Sequence, residues 1–385
     1  MVSKIQGAKL CKLMGILRFS TRVSLACIFV FMLLAGCRSF SPKEEYFNAE
    51  GNGDYLISAV LSRDTAMACS FCYLAIGDKL IQGLYGDACS YAVYHIKEDS
   101  LQYEGKFLMK GRGPYEMSVA RLKYRPDKNE LILYSEESSE NDFYIVDLTH
   151  FNNLYDPRFW KKGRLPQLPT RSSLEFIDES VFLHTSFSKE NSLFSIAFNK
   201  EGNHPVALNF PYPVDVNESA PLRYTLFTGD LVKHPSRSTF VYSCEFFKYV
   251  ILFDLVKETV LNVRYISHEL PVYKPVSGNP YQLFTLSKES QEGCLDIIAT
   301  GRCFYLGYNN MSRKDIQNQV SFKGYPAGYY DRINVFDWDG NFIRRLVLDR
   351  PIYCFSVSQD DKYLYASSID INAENQPDIV LRFDL

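Results

Sequence analysis

The segment Val335-Phe336-Asp337-Trp338-Asp339-Gly340-Asn341-Phe342 runs from an apolar strand through an Asp-Gly turn into a second strand. Asp-Gly and Gly-Asn steps supply the positive φ angles that a tight β-hairpin needs. The same residues echo a calcium-binding loop, but the acidic ligands that should follow in such a loop are missing. We therefore predict a β-hairpin at this position and no metal site.

The hairpin belongs to a unit that recurs six times: a turn, a strand rich in Tyr, Phe, Leu and Val, a second turn and another such strand. Equivalent positions on the third strand are spaced by 51, 51, 56, 83 and 46 residues, and they are Tyr94, Ile145, Ile196, Leu252, Val335 and Leu381. The spacing of 83 residues contains an insertion. Six four-stranded units at roughly this period are typical of a β-propeller.

Two further patterns support this fold. Lys110-Gly111-Arg112-Gly113-Pro114 recurs as Lys162-Gly163-Arg164-Leu165-Pro166, 52 residues further on. The sixth unit ends with its third strand, Ile379–Leu385, whereas the strand-like run Tyr55–Leu61 has no partner in its own unit. That run would supply the missing outer strand and close the ring, which removes exposed sheet edges. We predict an all-β fold, a six-bladed β-propeller of four-stranded antiparallel blades, over residues 54–385.

The N-terminus has the layout of a secretory signal. Residues 1–22 contain five Lys or Arg and no acidic residue, and the uncharged run Val23–Gly36 follows. That run has 14 residues, fewer than the roughly 20 of a membrane-spanning helix. It ends in Leu34-Ala35-Gly36-Cys37, which resembles a bacterial lipobox. We predict a signal peptide at residues 1–36 and lipidation of Cys37, whose acyl chains would hold the protein on a membrane. An ordinary signal peptide with a chance Cys is the alternative.

Residues 37–53 are predicted to be a lipidated flexible tether, since they are polar and contain glycine. Within them, Lys43-Glu44-Glu45 resembles the basic-then-acidic signal that directs some Bacteroidota lipoproteins to the cell surface; a solvated linker is the alternative. We expect an outer-membrane lipoprotein, on the periplasmic face or at the cell surface.

The chain is acidic, with a formal net charge of −3, and removal of the basic signal peptide makes it more so. Nucleic-acid binding requires a basic face, so we expect no nucleic-acid partner. Seven cysteines follow Cys37, mostly within apolar runs, and we predict that they are buried thiols. A Cys294–Cys303 disulfide is the alternative.

On these features the sequence resembles the TolB-like six-bladed β-propeller lipoproteins of Bacteroidota. The resemblance is carried by the lipobox, by Gly111-Arg112-Gly113-Pro114-Tyr115-Glu116, by the hairpin Val335–Phe342 and by the turn and strand Ser358–Tyr365. The family usually has Gly-Arg-Gly-Pro-Gly-Glu in the first of these segments, and here Tyr115 replaces the third glycine. The resemblance implies the fold, but its motifs are structural turns and imply no activity.

The sequence contains no recognisable catalytic, phosphate-binding or zinc motif, so it identifies no catalytic residue, and we predict no metal or cofactor. The favoured function is a non-catalytic binding or scaffolding module for an envelope protein or a glycan. The alternative is a hydrolase or lyase with its site in the axial channel, where distant residues converge. That alternative requires a bound metal or inward-facing carboxylates and histidines, and a channel lined by apolar and amide groups would exclude it.

Two long excursions from the repeat, residues 267–293 and 309–330, are predicted to be neighbours on one rim. Long loops on a rigid scaffold often bind partners, and tyrosine suits both sugars and protein surfaces. The predicted binding residues are Tyr273, Tyr281, Tyr308, Tyr325, Tyr329 and Tyr330. A structured lid with these tyrosines packed inward is the alternative. Arg112 and Glu116 are candidates for the axial channel; otherwise their segment is a turn between blades.

Overall fold

The structure of the protein is a computed structural model. It describes residues 53–64, 69–137, 139–166, 168, 173–186, 191–199, 205–213, 219–270, 272–276, 283–288, 290–291, 293–309, 311–312, 314–315, 318, 320–326, 328–374 and 377–385. The predicted signal peptide, Cys37 and nearly all of the tether lie outside the described residues.

Most of the described strands form antiparallel groups of consecutive strands, five groups of four and a last group of three, which we call sheets I to VI in chain order. Sheet I comprises β3 (Cys69–Ile76), β4 (Lys79–Leu84), β5 (Cys89–Ile96) and β6 (Ser100–Met109). Sheet II comprises β7 (Ala120–Arg125), β8 (Glu130–Ser135), β9 (Asp142–Asp147) and β10 (Trp160–Arg164). Sheet III comprises β11 (Leu174–Phe176), β12 (Val181–Thr185), β13 (Phe194–Phe198) and β14 (Val206–Ala207).

Sheet IV comprises β15 (Gly229–Lys233), β16 (Thr239–Cys244), β17 (Tyr249–Val256) and β18 (Thr259–His268). Sheet V comprises β21 (Asp296–Ala299), β22 (Cys303–Tyr308), β23 (Tyr330–Asp337) and β24 (Phe342–Ile352). Sheet VI comprises β25 (Cys354–Val357), β26 (Tyr363–Ile369) and β27 (Asp378–Asp384). A separate hairpin, β19 (Tyr273–Pro275) and β20 (Phe284–Leu286), lies in the insertion before sheet V. The predicted all-β, propeller-like fold of four-stranded antiparallel sheets is confirmed.

The N-terminal run predicted as one strand is two short strands, β1 (Asp54–Leu56) and β2 (Ala59–Arg63). The chain bends between them at Ser58, whose amide and hydroxyl both donate to the Asp349 carboxylate at 3.1 Å. As a result β1 pairs in parallel with β24, which the sequence did not predict. β2 pairs antiparallel with β27 through residues 59–61 and parallel with β6 through residues 62–63, so sheets VI and I form one eight-stranded sheet.

The hydrophobic core lies between successive sheets. Side chains alternate between the two faces of a strand: on β8, Leu131 and Leu133 pack against sheet I, whereas Ile132 and Tyr134 pack against sheet III. Such clusters join sheets I–II, II–III, III–IV, IV–V and V–VI, and a further cluster joins sheet VI to sheet I. Each sheet is thus covered on both faces, which explains the strands' near-continuous apolar sequence.

The Val335–Phe342 segment is the predicted hairpin. The Asp337 carboxylate accepts from the amides of Asp339 (2.9 Å) and Asn341 (2.8 Å), and Gly340 has φ +80°. The carboxylate that would bind calcium thus closes the turn.

Within the described residues, the helix α1 (Ala220–Leu226) and the two 3₁₀ turns at Phe151–Tyr155 and Pro157–Phe159 were not predicted from the sequence. The Ser219 side chain caps α1 by accepting from the Leu222 amide, and Pro221 lies in its first turn. Seven residues are too few to show a helical period, so the cap was its only signal. No helix in the described part of the chain is both long and apolar enough to cross a membrane.

Cys244, Cys294 and Cys354 are buried free thiols, as predicted, whereas Cys89 and Cys303 are free thiols that are only half-buried. Cys294 and Cys303 are both free, so the alternative disulfide does not form.

Candidate functional site: the axial cavity

The first strands of the six sheets converge on one cavity of about 280 Å³, which we call the axial cavity. Its walls come from every sheet, and they include Leu74 on β3, residues 121–128 on and after β7, Glu175 and Phe176 on β11, residues 230–235 on and after β15, residues 296–299 on β21, and Ser356 and Val357 on β25.

Charged side chains from four different sheets line this cavity, five of them basic and four acidic: Arg121, Lys123, Arg125, Asp127, Lys128, Glu175, Asp230, Lys233 and Asp296. The Lys123 ammonium lies 2.8 Å from Oε2 of Glu175 and donates to the Leu231 carbonyl oxygen at 3.0 Å. Nε of Arg121 lies 2.6 Å from a carboxylate oxygen of Glu136. Both cations are therefore neutralised by carboxylates of the protein itself.

Two carboxylates on the first strands of the sheets, Asp230 and Asp296, have no cationic partner at contact distance among the described residues. Asp296 accepts through Oδ2 from the Phe355 amide at 3.2 Å and from the Tyr330 hydroxyl at 3.3 Å. Burial raises the pKa of Asp296 to about 7, and the negative charge of Asp230 adds to the rise while these hydrogen bonds oppose it. Asp230 has an exposed side chain on β15 and lines the cavity, where the surrounding protein raises its pKa and the charges of Lys123 and Arg121 oppose that rise.

The electrostatics of Lys123 are dominated by its partner. Burial alone would lower the pKa of this ammonium group, but the Glu175 carboxylate more than compensates and leaves the pKa raised. Lys123 is therefore a charged, structural cation under all ordinary conditions, and the Lys123–Glu175 pair forms a fixed part of the cavity wall.

A sequence model of the family described as TolB-like 6-blade propeller-like matches residues 77–360. The chain belongs to this TolB-like family. The resemblance inferred from its motifs is confirmed.

Several solved structures are similar to the TolB-like chain. A member of the DUF4221 family from Bacteroides vulgatus is 11% identical, with a TM-score of 0.49 over 86% of this chain and 97% of that one. The RRP9 WD40 repeats are 10% identical, with a TM-score of 0.40 over 86% and 79% of the two chains. The propeller domain of Cps50 (Swd1) from Myceliophteria thermophila is 8% identical, with a TM-score of 0.41 over 83% and 98%. No curated protein matches the sequence.

The two long excursions of this TolB-like chain are neighbours, as predicted. Gln291 and Ser312 form an isolated β-bridge, and the Lys314 amide donates to the Lys288 carbonyl oxygen at 2.9 Å. The insertions after sheet IV and inside sheet V therefore meet on one rim.

The predicted binding tyrosines on this rim occupy different environments. Tyr308, Tyr325 and Tyr330 are buried, as in the inward-packed alternative. Tyr273 is half-buried, and Tyr329 is half-buried between the rings of Tyr325 and Tyr353. Tyr281 lies outside the described residues. A binding role for the six stays a prediction, but Tyr330 has a further contact because its hydroxyl reaches Asp296 at the axial cavity.

Arg112 and Glu116 lie in the turn between β6 and β7, and neither lines the axial cavity. The Gly113 amide donates to Oε2 of Glu116 at 2.8 Å, so Glu116 closes its own turn, while Arg112 is exposed. The segment lies in the turn between the outer strand β6 and the inner strand β7, and the chain reaches the cavity only at Arg121 on β7.

The charged residues of the cavity were not predicted from the sequence. A signal was present: in Leu174-Glu175-Phe176, Gly229-Asp230-Leu231 and Leu295-Asp296-Ile297, one acidic residue precedes an apolar residue shortly before the second strand of a unit. These first strands are as short as three residues, too short to display a β-period.

Proposed function

We propose that this TolB-like protein is a lipid-anchored binding module of the outer membrane that holds a small polar ligand in its axial cavity. The observation that carries the proposal is the convergence of all six sheets on a cavity with two carboxylates, Asp230 and Asp296, lacking cationic partners at contact distance among the described residues. A concave site with a few placed polar groups is the usual form of a small-molecule site. Its volume, about 280 Å³, suits a small ligand.

The proposal includes a closed ring of six blades, with sheets I to VI as the blades. Closure is supported by β2, which adds a fourth strand to sheet VI, and by the core cluster that packs sheet VI on sheet I. A closed ring gives the cavity rigid walls, so the carboxylates are held in place before the ligand arrives, which lowers the entropic cost of binding.

The membrane anchor in this proposal is the lipidated Cys37, followed by the tether. Metabolic labelling with radioactive palmitate is expected to label the wild-type chain and not Cys37→Ser, and Cys37→Ser is expected to leave the membrane fraction. Labelling of both would show that the acyl chain is attached elsewhere. An envelope protein or glycan stays the predicted partner of the tyrosine-bearing rim.

The enzyme alternative has one observation in its favour. A lining of apolar and amide groups would have excluded a hydrolase or lyase, but charged groups line this cavity. A carboxyl group whose pKa is about 7, as at Asp296, can both donate and accept a proton near neutral pH. An activity that titrates near pH 7 and disappears in Asp296→Asn would establish this alternative.

The binding proposal is tested by native mass spectrometry of the full-length protein, purified from the membranes of its own host in mild detergent. A small molecule released on denaturation is expected from the wild type. Ile298→Trp, which fills the cavity from β21, should lose it. Ile343→Trp, the same change at an exposed position on β24, should retain it. Retention of the molecule in Ile298→Trp would place its site elsewhere.

A further inference from the structure

The wall of the axial cavity has nearly balanced charge. Five basic and four acidic side chains line it, and three of the basic ones are paired with carboxylates: Lys123 with Glu175, Arg121 with Glu136 and Arg125 with Glu130. A charged ligand of either sign therefore meets opposing charge on the same wall. An ionised carboxylate only accepts hydrogen bonds and an ammonium or guanidinium group only donates them, whereas a hydroxyl group does both. The wall thus suits a neutral ligand with several hydroxyl groups.

Tyr353 adds an exposed aromatic ring beside this cavity. It directly precedes β25, whose Ser356 and Val357 line the cavity, and it is 44% exposed. The ring of Tyr329 packs on that of Tyr353 at 5.5 Å between centroids, and the ring of Tyr325 packs on Tyr329 at the same distance. We call these three residues the tyrosine row. Tyr325 is buried, so the row is fixed at one end and exposes Tyr353 at the other.

Two short connections hold the tyrosine row close to Asp296, a carboxylate of the cavity wall. The hydroxyl of Tyr330, the residue next to the row, donates to Oδ2 of Asp296 at 3.3 Å. The Phe355 amide, two residues after Tyr353, donates to the same oxygen at 3.2 Å. Two residues of extended chain span about 7 Å, so the Tyr353 backbone lies within roughly 10 Å of that oxygen. The charges of Asp296 and Arg121 both act on the Tyr353 hydroxyl, which therefore lies near the cavity wall.

On the basis of the proposed function, we infer that the ligand of the axial cavity is a neutral sugar, which packs one face of its ring on Tyr353 and donates a hydroxyl to Asp296. A pyranose has an apolar face of C–H bonds and a rim of hydroxyl groups, so it matches an aromatic ring beside a polar cavity. The cavity of about 280 Å³ has room for one such ring. Asp296 is already oriented by two hydrogen bonds, which lowers the entropic cost of binding.

The test uses ligand-observed NMR titrations of the full-length protein at pH 7, in a detergent without a sugar headgroup. The probes are the methyl glycosides of glucose, galactose and mannose. The sugar that binds best is then compared with its 6-amino and 6-carboxylate counterparts, which carry one charge each. Because a charge would be taken out of water against a balanced wall, we expect the neutral sugar to have a Kd lower by about tenfold or more.

Replacement of Tyr353 tests the stacking contact. Tyr353→Ala should raise the Kd of the neutral sugar by about three- to tenfold, because the aromatic face is lost. Tyr353→Phe keeps that face and should leave the Kd unchanged. Tyr363→Ala is the matched control, since Tyr363 is 37% exposed at the other end of sheet VI, and it should not alter the Kd.

A second measurement needs no variant. In saturation-transfer NMR with the wild type, the C–H protons on one face of the sugar should receive more magnetisation than those on the other face, because only one face packs on Tyr353. Equal transfer to both faces would contradict the stacking contact.

The outcomes separate this inference from the proposed function. If Ile298→Trp abolishes sugar binding and Tyr353→Ala leaves it unchanged, the cavity is a ligand site but the stacking inference is wrong. If a charged counterpart binds as well as the neutral sugar, the neutral class is wrong. Binding that Tyr353→Ala weakens and Ile298→Trp does not would place the sugar outside the cavity and overturn the inference. If no sugar binds, the inference is also overturned, and the released molecule sought by mass spectrometry still decides the proposed function.

Discussion

The ammonium group of Lys123 on β7 lies 2.8 Å from Oε2 of Glu175 on β11, which joins two neighbouring sheets at the wall of the axial cavity. Lys123 also donates to the carbonyl oxygen of Leu231 on β15, so one side chain bridges sheets II, III and IV. Similar links occur around the cavity, where the Ala75 amide donates to the Ser356 hydroxyl and the Phe355 amide donates to Asp296. The cavity walls are thus held together by the polar groups that line them.

Replacement of Lys123 by Met should destabilise the protein, because Glu175 would be left as an unpaired carboxylate that is mostly buried. Breaking a fully buried pair costs about 3–5 kcal/mol, and since 24% of the Lys123 side chain is exposed we expect about 2 kcal/mol. Urea denaturation measures this loss. Glu175→Gln in the same background should recover part of it, and equal stability of Lys123→Met and wild type would show that the pair contributes nothing.

Asp296 should make the protein less stable as the pH rises from about 4 to 7. In the unfolded chain its carboxyl group loses its proton near its ordinary pKa of 3.8, whereas in the folded protein the pKa is about 7. Between these values the unfolded chain binds fewer protons, so the free energy of unfolding falls with pH, and above pH 7 the effect is constant. Because Asp296 is partly exposed to water, we expect the free energy of unfolding to fall by roughly 1–2 kcal/mol over this range.

The measurement is the difference in free energy of unfolding between the wild type and Asp296→Asn at pH 4, 5.5, 7 and 8. The free energy of unfolding of the variant should rise relative to that of the wild type as the pH rises to 7, and the difference should then stay constant. A difference that is independent of pH would contradict the raised pKa.

Gly163 on β10 should not tolerate a side chain. A Cβ atom at this position would overlap the ring of Phe143 on the neighbouring strand β9, and that ring is fixed in the core between sheets II and III. Gly163→Ala is expected to lower the free energy of unfolding by about 1–3 kcal/mol, the usual cost of overpacking. Gly301→Ala is the matched control, since a Cβ there meets no atom within 4 Å and its φ is not positive. Equal effects of the two changes would mean that Phe143 can move.

The contrast between Gly163 and Gly111 shows what the sequence could and could not predict. Their segments echo each other 52 residues apart, and both lie at the outer strand of a sheet, Gly163 on β10 and Gly111 just after β6, so the repeat located them correctly. Their roles differ: Gly163 makes room for Phe143, whereas Gly111 makes room for Glu116. The period of the chain reports which strand a residue belongs to, but not which side chain lies beside it.

The same limit applies to the candidate site. The third strands, with their long apolar runs, were located correctly in all six sheets, because burial on both faces gives a strong pattern. Lys123 and Glu175 are 52 residues apart, and only the packing of neighbouring sheets brings them together. Tyr308 and Tyr330 were placed on the correct rim. Their burial was not predicted, because the sequence around a tyrosine in a long insertion does not show whether its side chain is exposed or buried.

Tyr115 occupies a backbone conformation that favours glycine, with φ +61°. Its ring compensates by packing against Tyr144 at 5.2 Å and Trp160 at 6.1 Å between centroids. Tyr115→Gly should therefore change stability little, since the relief of backbone strain offsets the lost ring contacts. Tyr115→Val loses the ring contacts and keeps a strained, β-branched residue, so it should be less stable than Tyr115→Gly by about 1–2 kcal/mol in thermal or urea denaturation. The opposite order would show that the turn changes its conformation.

Leu61 on β2 should be essential to the union of sheets VI and I. Its side chain is 2% exposed, in the cluster that packs the two sheets together, and its backbone pairs with Val380 on β27. Leu61→Ala is expected to cost about 2–4 kcal/mol, because the cavity it leaves lies between strands from opposite ends of the chain. Val60→Ala on the same strand is the control, since Val60 is 48% exposed and its loss should cost less than about 0.5 kcal/mol. If urea denaturation gives both variants the stability of the wild type, then β2 does not hold the ring together, and the closure that we propose must depend on β25 packing against β3 alone.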